Sequence, residues 1–186
     1  MTAIGLFNKL RSTEAESARR IAITVFLVLV GTFGICGTAG LRINGSPSLP
    51  VGLYLVTAHP NANLVEFCPP EPFAEIAIAR GYRDVGSCGD GGAPLLKPVI
   101  ARTGDVVELS PEGIAVNGLR LQNTAPLKND TKGRPLKSWP PGRYTVGRDC
   151  MWVASSYNGR SFDSRYFGPI SLGSIRNYVQ PWITLP

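Results

Sequence analysis

The distribution of apolar and charged residues divides the chain into two parts. Residues 21–41 contain no charged side chain, and as a helix this stretch would be about 31 Å long, the thickness of the hydrocarbon core of a bilayer. Residues 1–20 carry more basic than acidic side chains. This asymmetry predicts a cytoplasmic N-terminus, a transmembrane helix at 21–41 and a domain at 42–186 on the far side of the membrane. A cleaved signal peptide ending at residues 37–40 is the alternative.

Beyond residue 42, short segments rich in β-branched and aromatic residues alternate with Gly- and Pro-rich turns. This pattern predicts a mainly β domain. We expect strands at residues 52–57, 64–67, 95–101, 106–109, 113–116, 119–121, 143–146 and 150–154. The chain then ends in short apolar pieces around Ile175, Val179 and Trp182.

Three connecting segments have patterns of their own. Pro72 and Gly81 are typical of the start and the stop of a helix, so we expect one short helix at residues 73–80. Asn117-Gly118 between two strand segments predicts a tight hairpin. Residues 123–141 are polar and rich in proline, and we interpret them as a long loop or an inserted excursion.

Composition and charge narrow the possible functions. With 21 Gly, 16 Pro and 17% charged residues, the chain is unsuited to a long helical bundle. The formal net charge is +6, but the basic residues are scattered and form no stripe with interleaved aromatics. We therefore expect no nucleic-acid partner. The charge is interpreted as surface solvation or attraction to an anionic lipid bilayer.

The cysteines favour a disulfide over a metal site. The chain has four cysteines and one histidine but no Cys-x-x-Cys pair, which argues against a structural zinc site, and no metal or other cofactor is expected. Cys68 and Cys88 flank a segment rich in proline and glycine, which is typical of a disulfide formed in an oxidising compartment. Two free buried thiols are the alternative. Cys150 is interpreted as a small buried apolar residue.

A serine lies in a rigid turn directly after the long apolar run. Ser48 is flanked by Pro47 and Pro50, and prolines fix φ and bias the preceding residues to extended geometry. The hydroxyl of Ser48 can therefore be held in one direction, as a nucleophile requires. The same residues are also common in an ordinary turn at the start of a domain.

Two residues could serve as a base for this serine. His59 is the only histidine, and a Ser-His-Asp triad would have to use it, although an exposed turn histidine is the commoner case. Lys97 lies inside the apolar segment 95–101. Burial there would lower its pKa and leave a neutral amine that could accept a proton. A lysine that extends its ammonium to water is the alternative.

Three boxes in the sequence resemble one family. They are Ser46-Pro-Ser-Leu-Pro-Val-Gly-Leu-Tyr54, Pro94-Leu-Leu-Lys-Pro-Val-Ile-Ala-Arg-Thr-Gly-Asp-Val-Val107 and Ser161-Phe-Asp-Ser-Arg-Tyr-Phe-Gly-Pro-Ile170. These three boxes follow the predicted membrane anchor in the order that is typical of the signal peptidase family. They resemble this family and, more narrowly, its conjugal-transfer branch, the TraF peptidases. The resemblance runs from the apolar helix to near the C-terminus. It implies a signal-peptidase-like antiparallel β-sheet, or partial barrel, with a serine-lysine dyad.

The resemblance implies a role for each matching residue in the first two boxes. Ser48 would be the nucleophile and Lys97 the general base. The hydroxyl of Ser46 would join the backbone N–H of Ser48 in the oxyanion hole. General signal peptidases have one more residue between the serine and the proline of the first box. The spacing here fits the transfer branch better and leaves Ser46 as a weaker rival nucleophile.

The third box would support the lysine. Ser161 would donate or accept a hydrogen bond that orients the amine of Lys97, and Asp163 and Arg165 would form an ion pair or hydrogen-bond cluster beside it. A tight turn in which Asp163 caps backbone N–H groups is an interpretation compatible with this role.

The resemblance implies a single-pass serine endopeptidase of the bacterial inner membrane, with its catalytic domain in the periplasm. The expected substrate is a membrane-bound conjugative pilin precursor, which would be hydrolysed or cyclised, and components of a conjugation or type IV secretion apparatus are expected as further partners. A general leader peptidase is one alternative, although residues 123–141 are too short for the second domain of many such enzymes. A catalytically silent scaffold of a secretion apparatus is the other.

Overall fold

A computed structural model of the chain describes residue 16, residues 19–25 and residues 40–185, and residues 19–25 are helical. The chain divides into two units, Met1–Leu41 and Arg42–Pro186. Within the described residues, no helix is long and apolar enough to cross a membrane. Most of the predicted transmembrane segment, residues 26–39, lies outside the described residues, so that segment remains a prediction.

The part of the chain from residue 41 onward is built from two β-sheets and short helices, which confirms the mainly β fold. The larger sheet has the strand order β1-β2-β11-β3-β4-β9-β10, and the smaller one has the order β7-β6-β5-β8. The paired strands from β2 onward run antiparallel. The strands are β1 (Leu41–Asn44), β2 (Gly52–Thr57), β3 (Leu64–Phe67), β4 (Leu95–Ala101), β5 (Val106–Ser110), β6 (Gly113–Val116), β7 (Leu119–Arg120), β8 (Gly142–Thr145), β9 (Cys150–Val153), β10 (Ile170–Ser171) and β11 (Ile175–Thr184).

The expectation of one short helix was incomplete. Helix α1 (Phe73–Ala79) lies where the sequence predicted it. A second helix, α2 (Ser164–Phe167), follows Asp163, whose carboxylate accepts a hydrogen bond from the backbone N–H of Arg165. A helix of four residues is too short to show a helical period, which is why the pattern did not indicate it.

The C-terminal segment forms one long strand rather than short apolar pieces. Strand β11 has ten residues and lies between β2 and β3 in the larger sheet. Val179 is the only fully buried residue of this strand. The other positions tolerate polar residues, so the strand has no regular alternation of apolar and polar residues. Pro181 is accommodated at a register shift between Pro181 and Ile183 in the pairing with β2. The short strands β1 and β10 were also not predicted.

The predicted hairpin at Asn117-Gly118 is confirmed. Both residues have positive φ, 50° and 80°, as a two-residue hairpin turn requires. The hairpin joins β6 and β7 in the smaller sheet. Residues 123–141 contain one isolated β-bridge and no helix or strand. This agrees with the interpretation of this segment as a long loop.

Strand β9 connects the two largest core clusters. Trp152 belongs to the cluster that covers the smaller sheet, together with Val107. Met151 and Val153 point the other way and pack in the cluster that contains Phe67, because neighbouring side chains of a strand lie on opposite faces. A third, smaller cluster consists of Leu49, Tyr54, Leu64 and Val179. It anchors the serine turn, which is defined as residues 45–51 between β1 and β2.

The structure joins Cys68 and Cys88 in a disulfide, as the sequence predicted. Cys68 follows β3, and Cys88 lies in the glycine-rich loop before β4. Cys150 is a free cysteine that is half-buried rather than buried, and it packs against the cluster of Trp152.

Candidate active site

Ser48 and Lys97 lie in direct contact although 49 residues separate them in the chain. The amine Nζ of Lys97 and the hydroxyl Oγ of Ser48 form a hydrogen bond of 2.6 Å. Both residues are buried, with 7% of Ser48 and 4% of Lys97 exposed. The pair therefore forms a contact between a hydroxyl and an amine that is largely shielded from solvent.

The fold brings the two residues together from different elements. Lys97 lies in the middle of β4, opposite Val65 of β3, so its backbone is fixed by pairing within the larger sheet. Ser48 lies in the turn between β1 and β2. The next residue, Leu49, is buried against Tyr54 in the third core cluster. This apolar contact anchors the turn beside the sheet.

The environment of Lys97 favours its neutral form. Burial lowers the pKa of Lys97 from its ordinary value of 10.5 to about 8, since the charged ammonium loses its hydration. The negative charge of Asp163 raises the pKa and the positive charge of Arg165 lowers it, but both effects are smaller than that of burial. A substantial fraction of the amine is therefore neutral at mildly alkaline pH and can accept a proton.

Ser46 lies beside the backbone N–H of Ser48. The N–H of Ser48 donates a long hydrogen bond of 3.4 Å to Ser46 Oγ. Ser46 is exposed, whereas Ser48 is buried. The N–H and the hydroxyl are thus adjacent at the open side of the turn, close enough for one oxygen atom to accept from both.

Asp163 and Arg165 form a fully buried ion pair, with side chains 0% exposed. The pair is bidentate, because Arg165 Nη2 donates to Asp163 Oδ2 at 2.7 Å and Nε donates to Oδ1 at 2.8 Å. The remaining donors of Arg165 bind carbonyl oxygens of Asn123, Gly159 and Ser161. Through these hydrogen bonds, the ion pair also holds the backbone of the turn at residues 155–161 in place.

The hydrogen bond expected between Ser161 and the amine of Lys97 is absent. The hydroxyl of Ser161 is buried and has no hydrogen-bond partner within residues 40–185. The backbone of Ser161 is held instead, because its N–H donates to Asn158 O and its carbonyl accepts from Arg165. These two bonds fix the residue without directing its hydroxyl to Lys97.

Two residues near Ser48 were missed at the sequence level. The hydroxyl of Ser155 donates a hydrogen bond of 2.5 Å to the carbonyl oxygen of Ser48. The side chain of Asn44 contacts both ends of the serine turn. The local sequence does not distinguish Ser155 from its neighbour Ser156, and Asn44 is an ordinary residue for a turn. The roles of Ser155 and Asn44 are therefore visible only in the tertiary structure.

A cleft of about 630 Å³ opens beside Ser48 and Lys97. Its walls are the serine turn, the first residues of β4, the loop before β4 and part of the excursion at residues 123–141. Apolar and aromatic side chains make up much of its lining, and they include Leu95, Leu96, Leu127, Leu136, Phe162 and Tyr166. Charged side chains, among them Arg83, Asp130 and Arg160, also line it. A cleft of this volume, with apolar side chains and a smaller number of polar ones, can take a peptide segment.

The structure does not support a triad through His59. This residue is exposed and lines a different, smaller cleft with Asn61 and Gln180. It is not among the residues that line the cleft of Ser48. Within the described part of the chain, no group of three or more His, Cys, Asp or Glu side chains could hold a metal ion.

The family model described as "Signal peptidase, peptidase S26" matches residues 15–183. The chain therefore belongs to the signal peptidase family. The plasmid transfer protein TraF of Escherichia coli is 37% identical over 172 residues, which cover 89% of this chain and 97% of that protein. The probable conjugal transfer protein TraF of Sinorhizobium fredii is 39% identical over 168 residues, which cover 87% and 86%. Within the family, the chain falls in this conjugal-transfer TraF branch.

A solved structure, that of a signal peptidase I from Enterococcus faecalis, also resembles the fold. It covers 64% of this chain and 96% of its own, with 20% identity and a TM-score of 0.37. This likeness is too distant to add to the family assignment, which depends on the family model and the TraF relatives.

Proposed function

We propose that this chain is a serine endopeptidase in which Ser48 is the nucleophile and Lys97 the general base. The observation that carries the proposal is the 2.6 Å contact between Lys97 Nζ and Ser48 Oγ inside a buried pocket. A base must be within hydrogen-bond reach of the proton it removes and must be in the right protonation state. Burial of the amine, which lowers its pKa to about 8, meets the second condition.

The reaction proceeds through an acyl-enzyme. Ser48 Oγ attacks the scissile carbonyl carbon while its proton passes to the neutral amine of Lys97. The resulting ammonium gives this proton to the departing amine of the substrate, and an ester on Ser48 remains. A water molecule, or an amine of the substrate, then attacks the ester and gives a proton to Lys97. Collapse returns that proton to Ser48 and releases the product.

The oxyanion of each tetrahedral intermediate would bind at the open side of the serine turn. The N–H of Ser48 already points to the position of Ser46 Oγ. An incoming carbonyl oxygen replaces that hydroxyl as the acceptor, and the hydroxyl of Ser46 then becomes the second donor. Two donors directed at the developing charge are the usual form of an oxyanion hole.

The alternative of a silent scaffold does not account for these features. A lysine that serves only to hold the fold gains nothing from burial, because a buried amine loses the hydration of its charge. Lys97 is buried beside a hydroxyl and next to a cleft of peptide size. These three features together are those of a hydrolytic site.

The proposed substrate is a membrane-bound precursor of a conjugative pilin. Support comes from the TraF relatives, whose names assign them to plasmid and conjugal transfer, and from the apolar lining of the cleft. The proposed location is the bacterial inner membrane, with an anchor at 21–41 and the catalytic domain in the periplasm. The other proposed partners are the lipid bilayer and components of the transfer apparatus.

The test uses the full chain in membranes with a pilin precursor. Ser48→Ala and Lys97→Ala should each abolish processing while the protein still inserts and folds. The matched controls are Ser174→Ala and Lys137→Ala, at half-exposed and exposed positions that are not among the residues lining the cleft, and these should process normally. Processing by the Ser48→Ala or the Lys97→Ala protein would overturn the proposed dyad.

A further inference from the structure

The turn that carries Ser48 has few hydrogen bonds of its own. Pro47 and Pro50 have no N–H to donate. The backbone bond recorded within the turn, from the N–H of Leu49 to the carbonyl of Ser46, is long at 3.5 Å. Ser48 and Leu49 are nevertheless buried, and buried carbonyl groups need donors. The turn must therefore be held by side chains.

Asn44 supplies two donors, the N–H bonds of its amide, to a group of three carbonyl oxygens. Its amide nitrogen Nδ2 lies 3.0 Å from the carbonyl oxygen of Ser46, 3.3 Å from that of Leu49 and 3.1 Å from that of Pro50. Its amide oxygen Oδ1 accepts from the N–H of Ser46 at 3.1 Å. One side chain, 7% exposed, thus joins both ends of the turn and encloses Ser48 between its contacts.

Two other side chains hold one carbonyl each. The hydroxyl of Tyr54 donates to the carbonyl of Pro50 at 2.6 Å, and that of Ser155 donates to the carbonyl of Ser48 at 2.5 Å. Neither reaches both ends of the turn. Asn44 alone among these three connects the start of the turn to its end.

We propose that Asn44 is a positioning residue that holds the nucleophile in its reactive direction. This inference depends on the proposed role of Ser48. The hydrogen bonds of Asn44 join the backbone of Ser46, Leu49 and Pro50, before and after Ser48, so Asn44 acts through the shape of the turn. If the turn relaxes, Ser48 Oγ moves away from Lys97 Nζ, and small displacements of a reacting group cost large factors in rate.

The orientation of the amide is fixed by its partners. Three carbonyl oxygens surround one end of the side chain, and an N–H faces the other end. Only a nitrogen can donate to carbonyl oxygens, so the NH₂ group must occupy the first position. An aspartate at this place would keep the acceptor for the N–H of Ser46 but would direct an oxygen at three carbonyl oxygens.

The experiment compares Asn44→Asp with wild type in the full chain, with a precursor or peptide substrate. We expect kcat to fall on the order of 100-fold, the loss typical of a misplaced reacting group, while KM changes less than about threefold because the turn, not the cleft, is altered. An ionised aspartate in this buried turn would raise the pKa of Lys97, as the negative charge of Asp163 does, so kcat is compared on the alkaline plateau of each pH profile.

Asn117→Asp is the matched control. Asn117 also uses both ends of its amide in a turn, accepting from the N–H of Val106 and donating to Asp105, but it lies in the hairpin of the smaller sheet. The same substitution there should lower the unfolding temperature without lowering kcat. Asn44→Ala provides a second variant, with an expected loss of about tenfold in kcat, if the aspartate protein fails to fold.

Two outcomes would overturn the role of Asn44. One is a folded Asn44→Asp protein with kcat within about threefold of wild type, and the other is a loss of kcat no larger than that of Asn117→Asp at the same loss of stability. Failure of the proposed function is a separate result, because it would appear as continued processing by Ser48→Ala. A dead Ser48→Ala protein beside a fully active Asn44→Asp protein would reject the positioning role alone.

Discussion

The hydroxyl of Ser155 donates a hydrogen bond of 2.5 Å to the carbonyl oxygen of Ser48, across 107 residues of chain. The same hydroxyl accepts from the N–H groups of Tyr157 and Asn158. The N–H of Ser155 donates to Asp163 Oδ2 at 3.1 Å. Ser155 therefore links the turn of the proposed nucleophile to the buried ion pair of Asp163.

Ser155→Ala should lower kcat by about tenfold and the free energy of unfolding by about 1 to 3 kcal/mol, since the buried carbonyl of Ser48 loses its donor. The steady-state constants and a denaturant titration measure both effects. Ser164→Ala is the control, because Ser164 is equally buried but accepts from the N–H of Val153 in the sheet. Equal losses of kcat in the two variants would show that Ser155 has no special link to the nucleophile.

Ser46→Ala should leave the fold intact and lower kcat by about 100- to 1000-fold, the usual loss for one oxyanion donor. Ser46 is exposed and its hydroxyl accepts a long bond of 3.4 Å from the N–H of Ser48, so its removal costs little stability. Ser46→Thr keeps a hydroxyl and should retain part of the rate. A rate near wild type for the alanine variant would remove Ser46 from the oxyanion hole.

The pH dependence of activity should follow the amine of Lys97. The amine must be neutral to accept a proton, and burial lowers its pKa to about 8. We therefore expect kcat/KM to rise with pH, with a midpoint near 8, and to level off above it. A midpoint near 10.5, the ordinary value for lysine, would mean that the amine is not buried during catalysis.

Asp163→Asn should move this midpoint to lower pH. The negative charge of Asp163 raises the pKa of Lys97 and the positive charge of Arg165 lowers it, so removing the carboxylate leaves only the lowering influences. The variant should also lose about 3 to 5 kcal/mol of stability, because Arg165 remains buried without its partner. Asp149→Asn changes an exposed carboxylate and should leave the midpoint unchanged. An unchanged midpoint in Asp163→Asn would contradict the electrostatic coupling.

The sequence predicted the parts of the fold that depend on local patterns. Strand β4, helix α1 and the Asn117-Gly118 hairpin have strong apolar or turn patterns, and the structure places them at or within one residue of the expected bounds. Strand β11 was not predicted as one element because only Val179 is buried. Its stability comes from pairing with β2 and β3 on its two sides, which no local pattern reveals.

In the candidate site, too, some residues could be predicted from the sequence and others could be identified only in the structure. The family resemblance pointed to Ser48 and Lys97, and the fold brings them into contact. Ser155 and Asn44 act on the backbone of the serine turn through hydrogen bonds. Such bonds depend on where a distant turn is placed in space, and neither residue type is unusual in a turn. Polar residues that support a site through backbone contacts therefore appear only in the structure.

The disulfide between Cys68 and Cys88 should stabilise the fold and shape the cleft. It closes a loop with a sequence separation of 20 residues, which corresponds to about 3 kcal/mol in the chain-entropy model. The loop that it closes contributes Tyr82, Arg83 and Asp84 to the lining of the cleft. Its removal by Cys68→Ser with Cys88→Ser should therefore raise KM more than it lowers kcat.

Reductant should produce the same changes in the wild-type protein and none in the double variant. Cys150→Ser serves as the control for the free thiol and should still respond to reductant as wild type does.

Arg83 also pairs with Asp90 at 2.7 Å, so the loop keeps one tether when the disulfide is lost. For this reason we expect a cleft that binds substrate less tightly rather than one that has collapsed. If kcat fell and KM did not change, the disulfide would support the dyad rather than the cleft.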